Sequence, residues 1–183
     1  NARLEIAGVA LPPSVDFRLD GKIVWKSHQP YELGLEAFDI GVGPVNATVN
    51  TRLDLAKDLV VKSFDINMPE ASVMAVVNWL PQEYVSSLAG LKTDLKVGLS
   101  AALTAPYAVS GSDLPSFDFS VDVPDGSMSY QQMVLKSFGL EASGHVDGHD
   151  IDRSVIDVKR LFAVGEGIGF KFSGTATRLL SDP

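Results

Sequence analysis

The chain has 183 residues, 45% of them hydrophobic and 21% charged, which is typical of a folded globular domain and argues against disorder. Its net charge of −8 disfavours a nucleic-acid partner, because contacts to a phosphate backbone need a surplus of Lys and Arg. The absence of cysteine excludes disulfides, thiol catalysis and cysteine-based zinc sites. No run of about 20 apolar residues is present that would cross a membrane as a helix.

The two ends of the sequence predict a mature form or an excised segment of a longer protein. Asn1 is not an initiator methionine and no signal peptide follows it, and Leu179–Pro183 ends in the middle of a pattern. We expect residues 1–183 to form a single β-rich domain within that protein.

Alternation of apolar and polar residues predicts strands in the N-terminal third, because successive side chains of a strand point to opposite faces. The predicted strands are Ala2–Ala7, Val15–Leu19, Lys22–Lys26, Tyr31–Ala37, Val45–Leu55 and Leu59–Met68. Asp20-Gly21 is a typical hairpin pair and predicts a tight turn. The alternation slips near Lys62, which predicts a β-bulge.

The periodicity changes to that of a helix at about residues 69–89. Pro69 is a suitable first helical residue, and Val73, Val77 and Leu80 fall on one helical stripe. This stripe lacks the flanking Lys and Arg of a membrane-surface helix. We therefore expect a short helical lid that closes one end of the sheet.

The most regular alternation in the chain is in Leu91–Leu103, whose odd positions are mostly apolar and whose even positions are mostly polar or small. At ~3.3 Å per residue this stretch predicts a single strand on the order of 40 Å long. Since average strands have about 5–6 residues, it is unusually long.

The C-terminal part continues the same alternation. Pro124-Asp125-Gly126 is a strong turn signal, and Met128 and Tyr130 are predicted to begin the return strand. The other predicted strands are Phe117–Val123, Phe138–Val146, Ile151–Leu161 and Ile168–Ala176.

The predicted fold is mostly β, with about nine or ten strands. Short connections favour an antiparallel meander. We expect long antiparallel strands in a curled sheet, half-pipe or open-barrel-like, with one short helical lid segment. One-sided patterning in nearly every strand means that the apolar side needs a cover. Either the sheet folds over on itself, as in a sandwich, or this side stays partly open.

One cluster contains residue types that bind metals: His145, Asp147, His149, Asp150 and Asp152. Its spacing matches no calcium loop, and a polar hairpin turn at Asp147-Gly148 accounts for it. A zinc site needs about four converging ligands, and the chain has three histidines. The interpretation from sequence is that no metal site is present.

Catalytic and cofactor motifs are also missing from the sequence. There is no G-x-S-x-G nucleophile motif. Gly165–Gly169 resembles a fragment of a phosphate-binding loop, but it precedes a strand and does not join a strand to a helix. The sequence therefore predicts neither an enzyme nor a bound cofactor.

The apolar positions of the strands, taken together, predict a binding surface. A long apolar stripe would suit lipid acyl chains, since burial contributes roughly 0.8 kcal/mol per CH₂ without any polar key residue. The candidate lining residues are Leu95, Val97, Leu99, Leu103, Phe117, Phe119, Val121, Phe138, Leu140, Phe170 and Phe172.

Several segments resemble the AsmA-like proteins of Gram-negative cell envelopes. In that family a strand such as Phe64–Met68 precedes a helical phrase ending in Leu-Pro, here Ala75–Pro81, and a long strand, here Gly90–Leu103. Phe119–Tyr130 resembles the family's strand, turn and return, and Phe170–Ala176 resembles the start of a further unit.

The resemblance implies a repetitive β-groove associated with lipid transport and outer-membrane biogenesis in the periplasm. It implies lipid and neighbouring β-repeats of the same protein as partners, and membrane attachment only through parts outside this chain. It carries over no catalytic residues. The alternative function is a structural or adhesive β-sandwich with a dry core, and the weakest is an enzyme with carboxylates converging near Asp147–Asp152.

Overall fold

The computed structural model describes residues 5–6, 9–10, 17–28, 31–55, 58–111, 114–167 and 169–178. Most of the strand predicted at Ala2–Ala7, the first two residues of the strand at Val15–Leu19, and Ile168 lie outside these residues.

The described residues form a large antiparallel sheet and a separate two-stranded ladder. The ladder pairs β1 (Glu5–Ile6) with β2 (Val9–Ala10). The strands of the large sheet are β3 (Phe17–Lys26), β4 (Glu32–Val42), β5 (Val45–Asp54), β6 (Val60–Ser72), β7 (Lys92–Thr93), β8 (Lys96–Leu103), β9 (Tyr107–Ala108), β10 (Phe117–Tyr130), β11 (Met133–Val146), β12 (Val155–Gly165) and β13 (Gly169–Thr177). The helical elements are α1 (Val73–Trp79), α2 (Gln82–Val85) and two 3₁₀ turns, Ser86–Leu88 and Ile151–Arg153.

The large sheet has 11 strands and follows the order β13-β12-β11-β10-β8-β6-β5-β4-β3. The short strands β7 and β9 pair at its sides with β10 and β6. Strands that follow one another along this path are neighbours and antiparallel, and the sheet does not close into a barrel. The predicted fold class, a mostly β, curled meander with one helical lid segment, is therefore confirmed.

Two predicted turns are wrong. β3 runs without a break through Asp20-Gly21, where the pairing with β4 shifts register. β10 runs through Pro124–Gly126, where its pairing with β11 shifts in the same way. Gly and Pro are common at bulges as well as in turns. At Pro124–Gly126 the extra residue belongs to β10, whereas at Asp20-Gly21 it belongs to β4, opposite Gly21. Met128 and Tyr130 complete β10, and the return strand begins at Met133.

The bulge predicted near Lys62 is confirmed, because Arg52 pairs with Ser63 while the adjacent Leu53 pairs with Val61.

The helix begins later than Pro69, which lies within β6. The pairing of β6 with β8 continues to Ser72, opposite Lys96. Pro69 therefore lies within a strand, although proline is common at the first position of a helix. Ser72 caps α1, since its hydroxyl accepts a hydrogen bond from the backbone N–H of Ala75 at 3.3 Å. The observed helical segment covers 73–88 with short breaks, where 69–89 was predicted.

The stretch Leu91–Leu103 is not one strand. It breaks between β7 and β8, where the Asp94 carboxylate accepts hydrogen bonds from the backbone N–H and the hydroxyl of Ser127 on β10. The backbone bond first, and then the hydroxyl, lower the pKa of Asp94. β8 has 8 residues and spans about 26 Å at ~3.3 Å per residue. The longest strands are β10 and β11, with 14 residues each.

Two further strands differ little from their predictions. The strand predicted at Ile151–Leu161 starts after a 3₁₀ turn, at Val155. The last strand runs from Gly169 to Thr177, close to the predicted Ile168–Ala176.

The helical segment lies along one end of the sheet. A Cβ atom on Gly43, in the turn between β4 and β5, would lie 2.5 Å from the Trp79 ring at the end of α1. At the other side, the Tyr130 hydroxyl at the end of β10 donates a hydrogen bond to the Ser87 carbonyl. Val85, in α2, is buried. The segment thus reaches from the β4–β5 turn to the β10–β11 turn, as predicted for a lid.

We expect the substitution Gly43→Ala to destabilise the protein more than Gly167→Ala. Both glycines have positive φ, +57° and +75°, so each alanine carries a backbone cost of about 1 kcal/mol. Nothing lies within 4 Å of a Cβ on Gly167, whereas on Gly43 it would displace Trp79. Overpacking of this kind adds about 1–3 kcal/mol.

Urea unfolding followed by tryptophan fluorescence would measure both losses. Equal losses for the two variants would show that the contact between Gly43 and Trp79 contributes nothing to stability.

Candidate functional site

The pairing registers place most of the apolar residues of the nine long strands on a common side of the sheet, which we call the apolar face. Residues that pair across antiparallel strands point to the same side, so the register assigns each side chain. On the central strands this side carries Val61, Phe64, Ile66 and Met68 of β6, Val97, Leu99, Ala101 and Leu103 of β8, and Phe117, Phe119, Val121 and Val123 of β10. On the outer strands it carries Leu19, Ile23 and Trp25 of β3, Leu33, Leu35, Phe38 and Ile40 of β4, Ala47, Val49 and Leu53 of β5, Phe138, Leu140 and Ala142 of β11, Ile156, Val158 and Leu161 of β12, and Phe170 and Phe172 of β13.

Ten of the eleven predicted lining residues lie on the apolar face. They are Val97, Leu99, Leu103, Phe117, Phe119, Val121, Phe138, Leu140, Phe170 and Phe172. Leu95 is the exception, because it lies in the break between β7 and β8 and is only 8% exposed. Its carbonyl accepts the N–H of Val73 at 3.0 Å, so Leu95 holds the lid segment and is not part of the open surface.

The predicted lid residues Val73, Val77 and Leu80 are half-buried, and Leu80 is the C-cap of α1. The sequence interpretation missed two residues that hold the lid more closely, Val85 and Trp79. The signal that could have found them is that they are large apolar side chains within the predicted helical segment. Their partners in distant turns are not visible from local periodicity.

The apolar face is only partly covered. The buried hydrophobic residues of the described strands, Val49, Ala71, Val123, Ala142 and Ala163, all lie on it. The only other sheet in the described part of the chain is the two-stranded ladder, so neighbouring side chains on the curled surface account for most of this burial.

Other side chains of this face remain in contact with solvent. Leu99, in the middle of the sheet, is 38% exposed, and Phe172 at one edge is 52% exposed. The edge strand β3 exposes Leu19, Ile23 and Trp25. An apolar surface that continues over several strands is the usual mark of a site for an apolar partner.

The opposite side, which we call the polar face, is held by ion pairs and hydrogen bonds between neighbouring strands. Glu32 of β4 accepts from Lys26 of β3 at 2.6 Å and from Lys62 of β6 at 2.7 Å, and Lys62 also lies 3.3 Å from Asp54. Hydrogen bonds from Lys26 and then Lys62 lower the pKa of Glu32 to about 2. Hydrogen bonds to Glu32 and Asp54 raise the pKa of Lys62.

The sequence cluster of possible metal ligands divides into two separate arrangements. His145 Nδ1 lies 2.8 Å from Asp118 Oδ1 on the neighbouring β10. Asp147 accepts the backbone N–H groups of His149 and Asp150 at 2.9 and 3.1 Å, and these bonds, His149 first, lower the pKa of Asp147. Across the described ranges there is no group of three His, Asp or Glu residues placed to hold a metal ion.

β12 ends at Gly165 and β13, its antiparallel neighbour, begins at Gly169, so these glycines lie between two strands and not between a strand and a helix. Such a connection lacks the helix N-terminus on which phosphate-binding loops depend.

Comparisons with protein-family models, with curated proteins and with solved structures found no match to this chain. The resemblance to AsmA-like proteins therefore stays a prediction from the residues. Among the described helices, none is long and apolar enough to cross a membrane.

The substitution Glu32→Gln should make the free energy of unfolding depend less on pH between pH 4.5 and pH 2. The folded-state pKa of Glu32 lies below its ordinary value of 4.5, so its contribution is present above about pH 4.5 and is lost as the pH falls towards 2. Without this carboxylate, the protein should be less stable at pH 7 and should lose less stability between pH 4.5 and pH 2.

Urea unfolding midpoints across this pH range would measure the effect. Glu70→Gln is the matched control, because Glu70 makes an exposed pair with Lys96 at 2.9 Å. If Glu32→Gln loses as much stability as the unmodified protein between pH 4.5 and pH 2, the Lys26–Glu32–Lys62 cluster has no role in stability at acid pH.

Proposed function

We propose that this chain is a non-enzymatic segment of an AsmA-like cell-envelope protein, and that its apolar face binds or conducts the acyl chains of lipids. The observation that carries the proposal is the apolar face itself, which continues across nine strands and for which the described residues supply no second large sheet. A globular domain normally covers such a surface with its own chain.

The chemistry of the face supports a hydrocarbon occupant. Its exposed residues are aliphatic or aromatic, for example Leu99, Trp25 and Phe172. Burial of ten methylene groups contributes roughly 8 kcal/mol before the costs of binding. An acyl chain could therefore bind without a polar anchor on this surface.

The contacts of His145, Glu32 and Asp147 favour structural roles for these residues over catalysis. His145 pairs with Asp118, Glu32 pairs with two lysines, and Asp147 accepts backbone N–H groups of its own turn. Such pairings between strands or within a turn account for these residues without a substrate.

The resemblance to AsmA-like proteins supports the cellular setting that we propose. This setting is the periplasm or envelope of a Gram-negative bacterium, where the chain would serve outer-membrane biogenesis or lipid transport. Its partners would be lipid and neighbouring β-repeats of the same protein. The alternative function, an adhesive sandwich, rests on two packed sheets, whereas the described strands form an open meander.

Lipid extraction from protein purified from cells, followed by mass spectrometry, tests the proposal directly. We expect co-purifying lipids with acyl chains, and we expect delipidated protein to bind a fluorescent fatty acid. If extraction yields no lipid and the delipidated protein does not bind the fatty acid, the proposal is wrong.

The substitution Leu99→Glu should weaken fatty-acid binding by about tenfold or more, because a carboxylate in the middle of the face would have to be desolvated or would displace the chain. Val164→Glu is the matched control. Val164 has a similar exposure of 43%, but its pairing with Ser137 places it on the polar face. Titration of a fluorescent fatty acid into both variants gives the comparison.

Equal weakening in the two variants would mean that binding does not take place on the apolar face. Circular dichroism of both variants would show that the sheet is retained.

A further inference from the structure

β13 is an edge strand of the large sheet, paired with β12 on one side only among the described strands. Its other side presents backbone N–H and C=O groups, and such an edge is a template for a further strand. Two of its side chains on the apolar face, Phe170 and Phe172, are 51% and 52% exposed.

The two edges of the sheet differ in how well they resist strand addition. β3 carries the cationic side chains of Arg18, Lys22 and Lys26, which are a common protection of an edge. β13 is nine residues long and has one charged residue, Lys171. Where its pairing with β12 shifts, the extra residue belongs to β12, so β13 itself continues regularly.

We propose that two copies of this chain associate by antiparallel pairing of β13 with β13 of the second copy, about a two-fold axis at Ser173. With this centre the full strand overlaps, since Gly169 lies opposite Thr177 of the second copy. A ladder of this length forms about eight to ten hydrogen bonds, similar to the number across a typical protein interface.

The side chains of β13 are complementary to themselves in this register. On the apolar face, Phe172 lies opposite Gly174 of the second copy and Phe170 lies opposite Ala176, so each large ring meets a small residue. The Phe172 ring already leans over Gly174 of its own chain, where a Cβ would lie 3.1 Å away. The pairing therefore covers both exposed rings and places each beside a small residue.

The charges on the polar face fit the same register. Thr175 donates a hydrogen bond to Asp157 of β12 at 3.0 Å, and Lys171 of the second copy lies directly opposite Thr175. Asp157 and this lysine are two strand spacings apart, about 10 Å between backbones, which their side chains can span. Pairing of β13 with β3 of another copy would instead bring Lys171 to a strand with three cationic side chains and one carboxylate, Asp20.

The axis is perpendicular to the sheet, so both copies keep their apolar faces on the same side. The dimer would contain one continuous sheet with a doubled apolar face. This inference is independent of what the face binds, and a dimer without lipid would leave it intact. It requires that neighbouring β-repeats of the proposed parent protein adjoin the sheet elsewhere than at β13.

The substitution Ser173→Cys tests the register, because the chain has no other cysteine. In the proposed dimer the two Cys side chains are directly opposite, with Cα atoms about 4.5–5.5 Å apart, a distance that a disulfide accepts. We expect rapid formation of a covalent dimer under mild oxidation. Thr175→Cys is the matched control, since its copies would be about 13 Å apart along the strands.

Sedimentation of the unmodified 183-residue chain measures association without the disulfide. We expect a dimer, a loss of dimer in Lys171→Asp, and recovery in the variant that combines Lys171→Asp with Asp157→Lys. A monomer at every soluble concentration, or equal rates of crosslinking at positions 173 and 175, would overturn the proposal.

Discussion

The structure depends on one constraint, that a sheet with a single apolar side must shield that side from water. Nine strands present apolar residues on the same face, and the described chain adds only a short helical segment to cover it. That segment lies at one end, between Gly43 and Tyr130. The remaining shielding comes from the curl of the sheet, which buries Val49, Val123 and small residues such as Ala142. The backbone ladder and the ion pairs of the polar face hold the strands together.

The bulges are what keep the apolar face continuous. A bulge adds one residue to a strand and would turn every later side chain to the other side if the sequence kept strict alternation. Here the sequence alternation slips at the same places. Val123 and Gly126 remain on the apolar face although Pro124 and Asp125 lie between them, and Leu35 and Phe38 do the same on β4. Bulges also increase strand twist, so the same positions favour a curled sheet over a flat one.

These bulges also explain what the sequence could predict and what it could not. Alternation is a local signal, and it predicted the strands and the shared side of Leu99, Val121 and Phe172. Gly, Pro and Asp occur in bulges as well as turns, so Asp20-Gly21 and Pro124–Gly126 were predicted as turns inside continuous strands. Only the pairing with distant strands distinguishes the two.

The contacts that hold the lid could not be predicted from the local sequence for a related reason. Trp79 lies against a turn 36 residues earlier in the chain, and Leu95 is buried where a side-chain hydrogen-bonding network interrupts the strand. Neither contact follows from the periodicity of the segment that contains it.

The separation of charge and hydrocarbon between the two faces limits what the apolar face can recognise. Two of its polar groups already have backbone acceptors, since Thr51 donates to the Ser63 carbonyl at 3.0 Å and Tyr130 donates to the Ser87 carbonyl. An occupant would therefore be held through its hydrocarbon, with little dependence on salt. At the end of the sheet opposite the lid, Glu32 and Lys62 form their ion pair where β4 and β6 begin. This pair lies on the polar face, but the same end of the apolar face is the one that the lid does not cover. A polar head group would therefore be solvated most easily there, and an acyl chain would lie with its tail towards α1.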